Sequence, residues 1–217
     1  MSSDRTIERI DLDVLLRCLN ALDGLEVTSI TKSERPDFIV IRGDKKLGIE
    51  HTRAVYQEVV RAEKLHLSEC PDLTIDVTDL KERQGQRRAN EELLGSMTSQ
   101  SGSWVKVEEA RLDWQNKMAA CLRSKRKKLN QLGYQMFNEN WLLIHDFPPL
   151  PNWAGTQNWA GQHLKAVFSE MAGVSKNFDT VFIQSGRYLF RSNEYGFHLA
   201  DIAITGPLTL IETGQAP

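Results

Sequence analysis

The chain has 217 residues, 41% of them hydrophobic, which suits a single domain over 1–217 with a sizeable core. Its formal net charge is −2, which excludes a global basic field, so any nucleic-acid contact must come from a local patch. Three widely separated cysteines, Cys18, Cys70 and Cys121, give neither zinc spacing nor a disulfide framework. No apolar run approaches the roughly 20 residues of a membrane helix, and the opening Met1-Ser2-Ser3-Asp4-Arg5 has no apolar signal region. The expectation is a soluble cytoplasmic protein without a membrane partner.

The first element is an amphipathic helix. Ile7, Ile10, Val14, Cys18, Leu22 and Leu25 recur at steps of three or four, so Ile10, Val14 and Cys18 are expected to pack on a sheet. Asp23-Gly24 ends the helix. Residues 25–30 alternate as a strand, and 32–35 connect to a hairpin. Phe38, Ile39, Val40 and Ile41 form one β-like run, and Leu47, Gly48, Ile49 and Glu50 alternate in the next. Gly43-Asp44 fits a two-residue type II′ loop with glycine first. Counting outward from that loop sets Arg42 opposite Lys45 and Asp37 opposite Glu50, with Thr52 on the face of Glu50. A longer turn centred on Asp44 and Lys45 would shift this register.

Facing carboxylates repel unless something positive lies between them. A hard divalent cation is the usual solution, and the backbone carbonyl of His51 can add an oxygen. The bland alternative is two acids that merely flank exposed strand ends.

Residues 53–65 read as a helix, and 73–77 as a short strand. The charged, Ser/Gly-rich stretch at about 78–103 reads as a mobile or partly helical insertion. Residues 104–132 return to helical spacing, with Val107, Trp114, Met118, Cys121, Leu122, Leu129 and Leu132 on the apolar side and Gly133 near the end. This helix carries Arg123, Lys125, Arg126, Lys127 and Lys128, read either as a solvated charge run or as a phosphate-contacting patch. Trp141 to His145 is a central strand buried on both faces. A helix at 159–171, strands at 178–183 and 188–191, and one more strand within 199–211 complete the chain. His145 and Asp146 either line a cleft or simply close a strand. No phosphate-binding glycine loop, dinucleotide fingerprint, His-Glu-x-x-His or nucleophile elbow is present.

Pro36-Asp37, a hairpin, then Glu50-His51-Thr52, all after a helix and a strand, resembles the PD-(D/E)XK nuclease superfamily. Thr52 stands where that family usually has lysine. The resemblance covers residues 1–53 well and the remainder in outline. It implies an α/β (α+β) fold with a restriction-endonuclease-like αβββαβ core, a mixed central sheet flanked by helices. It further implies Mg²⁺ or Mn²⁺ held by Asp37 and Glu50, with Glu8 of the first helix facing the metal or else serving as a solvated helix-terminal acid. Lys125 or Lys128 would replace the lysine missing at 52, and Thr52 could hydrogen-bond the attacking water. The implied activity is Mg²⁺-dependent hydrolysis of phosphodiester bonds in nucleic acid, with DNA the expected partner and a homodimer a further expectation. The alternative is a degraded nuclease-like domain that binds DNA or a protein, and a third reading is an unrelated α/β domain.

Overall fold

A computed structural model describes residues 10–17, 27–69, 89–98, 107–147, 164, 176–193, 196–201 and 209–211. The chain divides into two compact units, Met1–Ala54 with Arg111–Pro217, and Val55–Ala110. The architecture is mixed α/β.

The larger unit is built on a mixed sheet whose strands are neighbours in chain order. They are β1 (Val27–Lys32), β2 (Phe38–Arg42), β3 (Lys45–Ala54), β4 (Glu139–Asp146), β5 (Thr180–Ser185), β6 (Tyr188–Asn193), β7 (Gly196–Asp201) and β8 (Thr209–Ile211). The pairs β3–β4 and β4–β5 are parallel, and the others are antiparallel.

The β2–β3 hairpin has the register expected from its turn. Phe38 pairs with Ile49, Val40 with Leu47 and Arg42 with Lys45. Gly43 has φ 61°, and no described non-glycine residue has positive φ, so the left-handed residue comes first, as a type II′ loop requires.

Alternation then separates two faces of the sheet. Phe38, Val40, Leu47, Ile49, Trp141, Leu143, Phe182 and Leu189 form one core with Leu12, Leu15 and Leu16 of helix α1 (residues 10–17). Fully burying each such leucine contributes roughly 1.5–3 kcal/mol. The opposite face carries Glu50, Leu142, Ile144 and Phe190. Helix α4, which begins at Val107 and ends at Leu129, buries Trp114, Met118, Leu122 and Leu129, and the Trp114 ring meets Phe190 with centroids 6.1 Å apart.

Several expectations need correction. Ile10 is exposed, whereas Val14 packs against the sheet core as expected, partly buried. The buried stripe of α1 is Leu12, Leu15 and Leu16, rotated from the expected one. Leu132 lies beyond the end of α4 and is exposed, and Gly133 turns the chain with φ 85°. The first strand continues past its expected end at residue 30 to Lys32, and the C-terminal tail supplies two strands, β7 and β8. Cys18 and the expected strand at 73–77 lie outside the described residues. Of the helix expected at 159–171, only Leu164 is described, helical and buried.

The smaller unit contains α2 (Gln57–Glu69) and α3 (Asn90–Thr98), the latter inside the expected insertion. Val59, Ala62 and Leu93 are buried, and Arg61 links the helices by bonding Glu58 at 2.9 Å and Asn90 at 2.8 Å. No helix among the described residues is long and apolar enough to cross a membrane.

Gly48 leaves room for the segment that follows α4. A Cβ there would stand 2.6 Å from Phe137 Cδ2 and 3.0 Å from Pro36 Cγ. Gly48→Ala gains roughly 0.5–1 kcal/mol of backbone preference, but overpacking costs about 1–3 kcal/mol. The expected outcome of urea denaturation is a net loss of stability, and an equal or higher midpoint would contradict this packing.

Candidate functional site

Asp37 and Glu50 flank the last described ladder pair of the hairpin, Phe38 with Ile49, and project from the face that α4 covers. Asp37 is held from below. Its Oδ2 accepts the backbone N–H of His51 at 2.8 Å, which leaves Oδ1 turned to the helix. Glu50 is fully buried.

A buried carboxylate is costly unless paired, and α4 supplies the pairing. Lys125 Nζ reaches Glu50 Oε1 at 2.7 Å and donates to the His51 carbonyl at 2.8 Å. Lys128 Nζ reaches the same Oε1 at 2.5 Å and lies 4.0 Å from Asp37 Oδ1. One ammonium therefore neighbours both acids, and the two carboxylates are closer together than the sum of those distances. Both lysines come from the helix face that carries Leu122 and Leu129, because three- and four-residue steps share a face. The expectation was that one lysine would enter this space, and the structure brings in both.

Glu50 Oε2 is buried and has no hydrogen-bond partner among the described residues. Such an orphan needs an explanation. A hard cation fits, since Glu50 Oε2, Asp37 Oδ1 and the His51 carbonyl are all oxygen donors. Among the described residues, no group of three or more His, Cys, Asp or Glu side chains gathers as a metal site, so such a cation would rely on two carboxylates and backbone. Glu8 lies outside the described residues. Thr52 is partly buried on the Glu50 face, beside Ile144 of β4. The basic run does not form one stripe. Lys125 and Lys128 turn inward to Glu50, while Arg123 and Lys127 are exposed and Arg126 is partly buried.

Two groups near this site carried little signal in the sequence. Asp11 of α1 is buried on the opposite face of the sheet. Its Oδ2 is 2.8 Å from His51 Nε2 and its Oδ1 2.9 Å from His145 Nδ1. Burial opposes ionisation of Asp11, but the bonds and charges of His145 and His51 outweigh it and hold the carboxyl below its ordinary range. His51 is thus fixed three ways: ring to Asp11, N–H to Asp37, carbonyl to Lys125. The only hint of this arrangement was an acid within an apolar helix stripe. The second group is Tyr134, buried, with a hydroxyl that lacks a partner among the described residues. Burial, then the charges of Glu50 and Asp37, push its phenol well above the ordinary value, so it stays a neutral donor.

A separate buried pair closes the end of β4. Lys117 Nζ lies 2.6 Å from Asp146 Oδ1, and Trp114 Nε1 and Ser185 Oγ donate to Oδ2 at 2.7 and 2.5 Å. Of the two sequence readings of Asp146, closure of a strand end describes this arrangement.

No protein-family model matches the chain, and neither a curated protein nor a solved structure matches it.

Proposed function

We propose that the protein is a Mg²⁺- or Mn²⁺-dependent nuclease with a restriction-endonuclease-like core, hydrolysing phosphodiester bonds in nucleic acid, with DNA the favoured substrate. The observation that carries this reading is the facing pair Asp37 and Glu50, served by Lys125 and Lys128, with Glu50 Oε2 left without a partner among the described residues. Asp37, Glu50 and the His51 carbonyl would hold the cation. When bound, the cation supplies Lewis acidity toward the phosphate. Lys125 and Lys128 supply the positive charge that Thr52 lacks, orienting the attacking water and balancing charge on the phosphate oxygens. Exposed Arg123 and Lys127 contact the phosphate backbone of the substrate.

Asp37→Asn tests the metal half directly. The asparagine Oδ1 still accepts the His51 N–H, so the fold persists. Relief of repulsion between the acids adds little, because lysine ammonium groups already balance them, and pairing at a partly exposed acid is worth roughly 0–1 kcal/mol. Stability therefore changes by less than about 1 kcal/mol, while calorimetry should show Mn²⁺ binding lost. Unchanged Mn²⁺ binding in this variant would remove the basis for the site.

A further inference from the structure

Tyr134 is placed by the chain that leaves α4. Gln131 N donates to Lys128 O at 3.0 Å, and Tyr134 N to Gln131 O at 3.3 Å, so two successive turns carry the chain from the end of α4 to the tyrosine. The following residues run along the hairpin. Gln135 N donates to Arg35 O at 3.4 Å, Phe137 packs over Gly48, and Asn138 N donates to Lys46 O at 3.1 Å. Tyr134 is thereby fixed next to the segment that presents Asp37.

Its phenol stays protonated beside two acids, yet it bonds neither. Glu50 Oε2 and Tyr134 Oη are both buried and both lack partners among the described residues. Had they been within hydrogen-bond distance, each would have satisfied the other. Leaving a buried hydroxyl unpaired costs free energy, and a protein-internal acceptor for it is absent from the described residues.

We propose that Tyr134 is a substrate-contacting residue of this site, whose hydroxyl donates a hydrogen bond to a non-bridging phosphate oxygen of the bound nucleic acid. The ligand chemistry is a phosphate diester or monoester placed against the acids. Tyr134 supplies a neutral donor, and Lys125 and Lys128 supply the charge. The inference rests on the nuclease reading above.

The test compares wild type with Tyr134→Phe, using Mn²⁺ and inorganic phosphate as probes. Calorimetry reads Mn²⁺ affinity, and phosphorus NMR broadening reads phosphate affinity on the Mn²⁺-loaded protein. The expected result is equal Mn²⁺ binding, a melting temperature equal to or above wild type, and phosphate binding weakened by about tenfold or more, the scale of a lost hydrogen bond to a charged group. A melting temperature below wild type would assign the hydroxyl a structural bond and overturn the proposal. Equal phosphate affinity in the two proteins, or none in Mn²⁺-loaded wild type, overturns the role of Tyr134 and leaves the metal site standing. Wild type that fails to bind Mn²⁺ overturns both.

Discussion

For the proposed nuclease, Lys125→Ala and Lys128→Ala should each lower turnover by about 10²–10³-fold, the scale of removing one preorganised donor from a site where charge develops. Both ammonium groups meet the same oxygen, Glu50 Oε1, at 2.7 and 2.5 Å. Groups that act through one atom are not additive. The double variant should therefore lose much less than the product of the two single losses. Each single variant keeps one cation on the buried glutamate, so its fold persists. Nucleic-acid binding should change little, because one phosphate contact is a small part of the electrostatic total. Single-turnover kinetics on DNA and RNA with Mg²⁺ and Mn²⁺ check this. If both single variants turn over like wild type, the lysines serve only to balance Glu50. If wild type itself is inert on single and double strands of both nucleic acids, the binding-only alternative replaces the enzyme.

Asp146→Ala should destabilise the protein by about 3–5 kcal/mol, the cost of breaking a buried ion pair from one side. Its carboxylate is fully buried and holds Lys117, Trp114 and Ser185 at once. Alanine strips Lys117, whose side chain is 7% exposed, of this counter-charge. The indole N–H and the serine hydroxyl lose their acceptor too, each worth roughly 1–3 kcal/mol if it finds no other. Asp146→Asn keeps one oxygen to accept from the indole and the serine, but it loses the ion pair and turns an NH2 toward Lys117, so its loss should be smaller than that of alanine only by those two bonds. Urea denaturation orders the two variants, and a loss in Asp146→Ala below about 1 kcal/mol would contradict this account. Activity per folded molecule should stay near wild type, since Asp146 lies at the far end of β4 from the register position of Glu50, which pairs with Leu142.

The hairpin was legible because everything that decides it is local. A glycine at the first loop position, β-branched runs on either side and strict alternation fix the pairing and hence the shared face of Asp37 and Glu50. The apolar side of α4 was legible for the same reason, since a 3.6-residue period repeats over many turns. Leu132 was misplaced because the spacing continues for a few residues past the point where the helix stops.

The rotation of α1 was not legible. Residues 10–16 contain apolar side chains at 10, 12, 14, 15 and 16, which support two overlapping stripes. Periodicity favours the one through Ile10 and Val14. The structure takes the one through Leu12, Leu15 and Leu16, which turns Asp11 onto His51 and His145. That choice depends on an imidazole 134 positions away in the chain, delivered by the parallel pairing of β3 with β4.

The sequence by itself determined the turn, the hairpin register and the two facing acids, because those follow from neighbours a few residues apart. Only the tertiary structure decided what meets the acids. Lys125 and Lys128 lie 75 and 78 positions from Glu50, and their approach requires α4 to settle across the sheet through Trp114, Met118 and Leu122. Burial of that apolar face carries the lysines to the glutamate, and no local propensity encodes the meeting. Tyr134 follows the same rule. Its position comes from turns anchored on Lys128 and from the bond of the next residue, Gln135, to Arg35 in the loop before β2, so its hydroxyl, without a partner among the described residues, is placed only once helix and hairpin have packed together.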